Sequence, residues 1–116
     1  MLYIVSLMPS APPAAFETAI LLAVARLGDD AYGAAVRRDV SARRGHEYSV
    51  GAVHTALQRL EDKGLVVSWM GEPLPVRGGR ARRYYRLTAA GVEALDQART
   101  AVLRLWQLPD LGLEPS

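Results

Sequence analysis

The sequence predicts a mainly helical fold with one small two-stranded β-ribbon, in the order helix, helix, helix, strand, strand, helix. Three observations carry that prediction. Apolar residues recur at helical spacing before and after the middle of the chain, in stretches bounded by cap residues, glycine or proline. Strand-forming residues, Leu65-Val66-Val67-Ser68-Trp69 and Tyr84-Tyr85-Arg86-Leu87, flank a Gly78-Gly79 pair that suits a tight reversal. A short link joins the second and third helices, as in a helix–turn–helix.

Ser10-Ala11-Pro12-Pro13 punctuates the chain and sets off residues 1–13 as a flexible N-terminal segment. Its MLYIVSLM start is too short to span a bilayer and lacks the cationic flank of a signal peptide, and Met8 offers a second start. The first helix follows, with Phe16, Ala19, Ile20, Ala23, Val24 and Leu27 at helical spacing and Gly28 at its end. Leu21 and Leu22 make it apolar on more than one face, which predicts burial on several sides. Asp29-Asp30 then predict the cap of a second helix over 31–44, with Ala31, Ala34, Ala35, Val36 and Val40 apolar and Gly45 as its stop. His46-Glu47-Tyr48 reads as an extended link.

Ser49 predicts the N-cap of a third helix over 50–63, closed by Gly64. Val50, Val53, Leu57 and Leu60 form its inward stripe, which leaves Gly51, His54, Thr55, Gln58 and Arg59 on other faces. Thr88 predicts the cap of a last helix that carries Val92, Leu95, Ala98, Val102, Leu105 and Trp106 on one face and ends at Pro109. The divisions expected are a helix–turn–helix with its ribbon over 14–88, a C-terminal helix over 89–108 and a tail over 109–116.

Charge distribution says more about function than the net +2 does. Residues 1–72 hold seven basic and eight acidic side chains, and residues 88–116 hold two basic and four acidic. Residues 73–87 hold five arginines (Arg77, Arg80, Arg82, Arg83, Arg86) and no acid, so the positive excess lies wholly in the ribbon. A focused cationic tip directly behind a helix–turn–helix suits a polyanion, and the combination points to double-stranded DNA. Strand alternation places Arg80, Arg82 and Tyr84 on one side and Arg83 and Tyr85 on the other, so only some of the five face a ligand. An enzyme finds no support. The two histidines, His46 and His54, lack a matched carboxylate constellation, and there is no phosphate loop, nucleophile elbow or cysteine. No cofactor or metal is expected, and the protein is expected in the cytoplasm.

Three segments resemble one known family: LLAVARLGDDAYG at 21–33, SVGAVHTALQRLEDKGLV at 49–66 and GEPLPVRGGRARRYYRLTAAG at 71–91. In this order and spacing they are similar to the PadR-like winged-helix transcriptional regulators. The resemblance covers about Phe16 to Leu95 and implies a homodimer that binds an operator, often as a repressor. It places the third helix in the major groove, makes the ribbon the wing, and pairs the last helix with its copy. His54 departs from the tyrosine usual there, which commonly helps hold the DNA backbone. The short C-terminal region looks like the compact subfamily with one such helix.

The DNA-binding candidates are therefore Tyr32, Ser49, Gly51, His54, Thr55, Gln58, Arg77, Gly78, Gly79, Arg80 and Arg82. Several carry a second reading. Ser49 doubles as a cap. Gly51, costly inside a helix by roughly 1 kcal/mol against alanine, serves either a close approach to DNA or close packing against another helix. Tyr32 is either a half-buried aromatic at a helix start or a phosphate contact, and Arg37 and Arg38 read as solvated. Phe16, Ile20, Leu95, Val102, Leu105 and Trp106 are candidates for the dimer interface or an effector site. Dimer core is the plain reading of Trp106; the compact subfamily implies a cavity at the dimer centre where such a tryptophan stacks on a small aromatic effector. The competing functional class is a winged-helix module that binds protein, which has no need of five unpaired arginines.

Overall fold

The computed structural model describes residues 15–73, 75–109 and 112. The expected 1–13 segment and most of the 109–116 tail lie outside them. Helix α1 (Ala15–Leu27) leads through a single 3-10 turn (Gly28–Asp30) to α2 (Gly33–Arg44) and α3 (Val50–Asp62). Strands β1 (Val66–Met70) and β2 (Arg83–Leu87) pair antiparallel, and α4 (Ala89–Leu105) closes the order.

Local signals explain most boundaries. The Ser49 hydroxyl accepts a bond from the Ala52 amide and the Thr88 hydroxyl one from the Gly91 amide, so each satisfies a donor that the helix itself leaves free. Gly45 ends α2 in the left-handed region at φ +62°, where a side chain is strained. The second helix starts later than its apolar pattern suggests. Asp29 and Asp30 lie in the 3-10 turn, and Tyr32 is the extended N-cap of α2. The Tyr85 amide donates to the Ala31 carbonyl at 2.8 Å, and Tyr32 bridges Tyr84. Ala31 and Tyr32 thus form a strand-like third rung beside β2, a pairing with a segment far along the chain that overrides the local helical pattern.

The core lies where α1, α2 and α3 meet the sheet. Ile20, Leu21, Val36, Val40, Val53, Leu57, Leu60 and Val66 are all at most 2% exposed, and Tyr85 closes the sheet side at 4%. Fully burying each large aliphatic group contributes about 1.5–3 kcal/mol. Two expected core residues are not there. Leu22 is 41% exposed, and Val50, at the first turn of α3, is 71% exposed. Burial of α1 is therefore one-sided at Leu22. Beneath α3, Lys63 donates to Glu17 of α1 at 2.8 Å, and Glu17 is buried. That ion pair ties the first turn of α1 to the C-terminal end of α3.

Helix α4 is anchored at its start and rests on the core through Leu95, and it is bare along its outer face. The Thr88 hydroxyl donates to the Gly64 carbonyl at 2.6 Å and the Thr88 amide to the Leu65 carbonyl at 3.0 Å. Gly91 is buried so tightly that a Cβ there would sit 2.1 Å from the Leu65 oxygen. Further on, Val92, Val102, Leu103, Leu105 and Trp106 are all more than half exposed. The helix ends at Leu105, with Trp106 as its C-cap, short of Pro109.

Candidate nucleic-acid interface

The turn between α2 and α3 is pinned from inside. Buried Ser41 accepts from the Tyr48 amide at 3.2 Å, and Arg37 donates to the Tyr48 carbonyl at 3.3 Å. The Tyr48 ring also packs on Phe16 of α1, with centroids 4.7 Å apart. Arg37 is therefore a half-buried tie rather than the solvated group expected. These contacts fix the angle at which α3 presents its outer face.

That outer face is polar and free of tertiary packing. Ser49, Gly51, His54, Thr55 and Gln58 are all exposed. Gln58 donates along the helix to Asp62 at 3.1 Å. A Cβ added at Gly51 would meet nothing within 4 Å, so packing against another helix does not account for this glycine.

The wing differs from the tight hairpin expected. The ladder stops at Met70 and resumes at Arg83, and the described residues between 71 and 82 belong to no strand. Pro73 and Pro75 lack the amide that a ladder needs, which ends the pairing. Gly78 does take the left-handed conformation, at φ +73°, and the Gly79 amide closes a turn on the Val76 carbonyl at 2.8 Å. Arg80 and Arg82 are consequently loop residues, and strand alternation does not set their directions.

The five wing arginines fall into two groups. Arg82 lies over the Tyr32 ring with its guanidinium carbon 4.0 Å from the centroid, Arg86 lies 5.1 Å over Trp69, and Arg83 donates to the Ser68 hydroxyl at 2.9 Å. Arg77 and Arg80 are exposed at the tip. Among the described residues, salt bridges take Arg26, Arg37, Arg43 and Lys63 but no wing arginine.

The start of α2, the middle of α3 and the base of the wing meet in one open groove of about 550 Å³. Tyr32, Gly33, Arg38, His54, Arg82 and Arg83 line it, and no carboxylate does. Tyr32, half-buried, is the hub: Arg38 donates to its hydroxyl at 2.9 Å and its ring meets Tyr84 edge-on at 5.8 Å. Arg38 is thus engaged, against the expectation that it is simply solvated. Arginine and tyrosine spacing along the chain does not reveal this cluster, because Tyr32 joins it only through its pairing with β2.

Of the six residues expected at a dimer or effector face, Ile20 is not available. It is fully buried in the protomer core, where the helical repeat that singled it out belongs. Phe16 packs on Tyr48, and Leu95 is partly buried against the core. Val102, Leu105 and Trp106 remain exposed together on α4, with Trp106 71% exposed.

Two ionisations are shifted. Hydrogen bonding from Arg26, against a smaller opposing effect of burial and with help from Arg43, holds the Asp39 carboxyl below its ordinary range. Burial pushes the Tyr85 hydroxyl up. Neither group belongs to an acid–base pair. Among the described residues, no group of three or more His, Asp or Glu side chains is placed to hold a metal, and no helix is long and apolar enough to cross a membrane.

Residues 21–97 match the transcriptional regulator PadR-like family. The chain belongs to that family. This PadR-like protein is 40% identical over 77 residues to the transcriptional regulator Rv3488 of Mycobacterium tuberculosis, covering 66% of this chain and 67% of the relative. Among solved structures it is similar to h. salinarum RosR, with a TM-score of 0.66 and 26% identity over 87% of this chain and 84% of that one. It is also similar to a PadR family regulator from Clostridium difficile, with a TM-score of 0.58 and 28% identity over 78% of this chain and 91% of that one. The fold is the winged helix–turn–helix, and the chain is a DNA-binding transcriptional regulator rather than an enzyme.

Proposed function

We propose that this PadR-like protein is a cytoplasmic homodimeric repressor that binds a two-fold operator and is released by a small aromatic or apolar effector. Helix α3 enters the major groove with Ser49, Gly51, His54, Thr55 and Gln58 toward base edges and sugar-phosphate. Tyr32, Arg77, Gly78, Gly79, Arg80 and Arg82 hold the backbone beside it. The observation that carries the reading is the acid-free groove in which α2, α3 and the wing converge. Uncompensated arginines repel one another there, and a polyanion removes that repulsion.

The dimer is supported by α4. An isolated protomer has no use for Val92, Val102, Leu103, Leu105 and Trp106 in water, and a second copy packed on the same face buries them. Trp106 is then the residue best placed to stack on a planar effector between the copies. Light scattering at micromolar protein combined with footprinting on bound genomic fragments tests the core of this reading. The expected result is a dimer that protects half-sites centred ~34–36 Å apart. A monomer, or protection without two-fold spacing, contradicts it. The effector is tested separately by titrating planar aromatic compounds into the Trp69→Phe variant. Saturable quenching of Trp106 emission supports it, and no change across a broad panel counts against it.

A further inference from the structure

The groove holds a contact that the wing charges and the α3 face do not themselves explain. Two guanidinium groups, from α2 and from the wing loop, surround a single tyrosine. Arg82 stacks on the Tyr32 ring at 4.0 Å, and Arg38, 5.7 Å from the same centroid, donates to the Tyr32 hydroxyl. Both are positively charged, and no carboxylate lines the groove they share. Arg83, the third arginine there, is directed elsewhere: it donates to Ser68, which donates to Glu61 at 2.8 Å. Arg38 and Arg82 therefore stand as the uncompensated pair.

We propose that Arg38, held by the Tyr32 hydroxyl, and Arg82, held by the Tyr32 ring, clamp one backbone phosphate of the bound duplex. The chemistry follows from the guanidinium. It carries five N–H donors in a plane, and a single bond to Tyr32 leaves four on Arg38. A guanidinium lying over a ring keeps its in-plane donors free for a phosphate, which it can grip bidentately. The Tyr32 hydroxyl fixes the direction of Arg38, and the Tyr32 ring fixes the plane of Arg82, so the rotamer entropy of two long side chains is partly lost before DNA arrives. His54 of α3 lines the same groove, so the clamp sets the height of α3 above the base edges. Arg38 thus acts on register and affinity and carries no base preference of its own.

This inference rests on the DNA-binding reading, and one experiment separates the two. Anisotropy titrations across a salt series compare wild type, Arg38→Gln and Arg38→Lys on the bound duplex and on a scrambled one. Each neutralised phosphate contributes about 0.9 to the slope of log affinity against log salt. A dimer carries two such clamps, so Arg38→Gln is expected to flatten that slope by up to about 1.8 on both duplexes. Arg38→Lys is expected to keep the slope while binding more weakly, since it retains charge and loses the planar fork. An unchanged Arg38→Gln slope, with wild type still binding, overturns the clamp and leaves the regulator intact. Wild type that binds no duplex overturns both. Inorganic phosphate is expected to displace DNA no better than chloride at equal ionic strength. If phosphate competes strongly with wild type and not with Arg38→Gln, the site belongs to a free anion and the backbone assignment falls. Unchanged melting of both variants keeps these readouts separate from folding.

Discussion

Helix α3 and the wing border the same groove but are held in place by different forces. Val53, Ala56, Leu57 and Leu60 fix α3 from beneath at 4% exposure or less, while every candidate contact lies on its opposite face. Between 71 and 82, none of the described residues lies in the core. The loop is held by the Gly71 amide on the Arg82 carbonyl at 2.7 Å and by Arg82 on Tyr32. One region is rigid through packing and suited to reading base edges, which demand fixed geometry. The other is charged, open and suited to phosphates, which recur along every duplex.

The comparison breaks most visibly at the buried side of α3. Leu57→Ala is expected to lower unfolding stability by about 2–5 kcal/mol in urea titration, whereas alanine at Arg77 leaves the midpoint unchanged. Next in size is base reading. Thr55→Ala is expected to weaken binding to the bound duplex by about 1–3 kcal/mol and to leave a scrambled duplex nearly untouched. The wing should behave oppositely: Arg77→Ala and Arg80→Ala each weaken both duplexes alike and flatten the salt slope by about 0.9 per protomer, about 1.8 for the dimer. Equal effects from Thr55→Ala and Arg77→Ala on the two duplexes would erase the division of labour between helix and wing.

Gly51 sharpens the contrast within α3 itself. Since a Cβ there meets nothing in the protomer, Gly51→Ala is expected to stabilise the fold by roughly 1 kcal/mol through helix propensity and yet to weaken DNA binding. Tighter folding with unchanged binding would remove this residue from the interface. The smallest effect concerns the tie between α1 and α2. Asp39 of α2, paired to Arg26 of α1 and to Arg43, has a carboxyl pKa below its ordinary 3.8. Its stabilisation is complete above 3.8 and disappears as pH falls through the lower folded value. With Arg26 and Arg43 both partly exposed, that amounts to about 0–1 kcal/mol. Asp39→Asn should therefore reduce melting temperature slightly at neutral pH and not at all at strongly acid pH.

Most of the fold was legible because its signals are local. Ser49 and Thr88 cap the helices they precede, Gly45 ends α2, and the apolar repeats of α1 and α3 locate most of the core. What escaped depends on residues far apart in sequence. Ala31 and Tyr32 leave the helical pattern because β2 pairs with them. Gly91 matters only because the Leu65 carbonyl lies against it, and Glu17 finds Lys63 across 46 positions. Val50 matched its stripe, but periodicity says nothing about where a neighbouring helix ends. Of the candidate site, the arginine concentration was plain in the sequence. The loop that carries it and the Tyr32 hub were not, since the prolines break the ladder and Tyr32 reaches the wing only through the sheet.

The most direct test of the account is a single anisotropy experiment on the wild-type chain and the Arg77→Ala/Arg80→Ala double variant. Fragments selected from the genome and a scrambled duplex are titrated at two salt concentrations. The account predicts that wild type prefers the selected duplex and weakens steeply with salt. It also predicts that the double variant loses affinity on both duplexes while keeping the wild-type preference between them. Equal, weak, salt-independent binding by wild type, or a double variant that loses the preference and keeps the affinity, would contradict it.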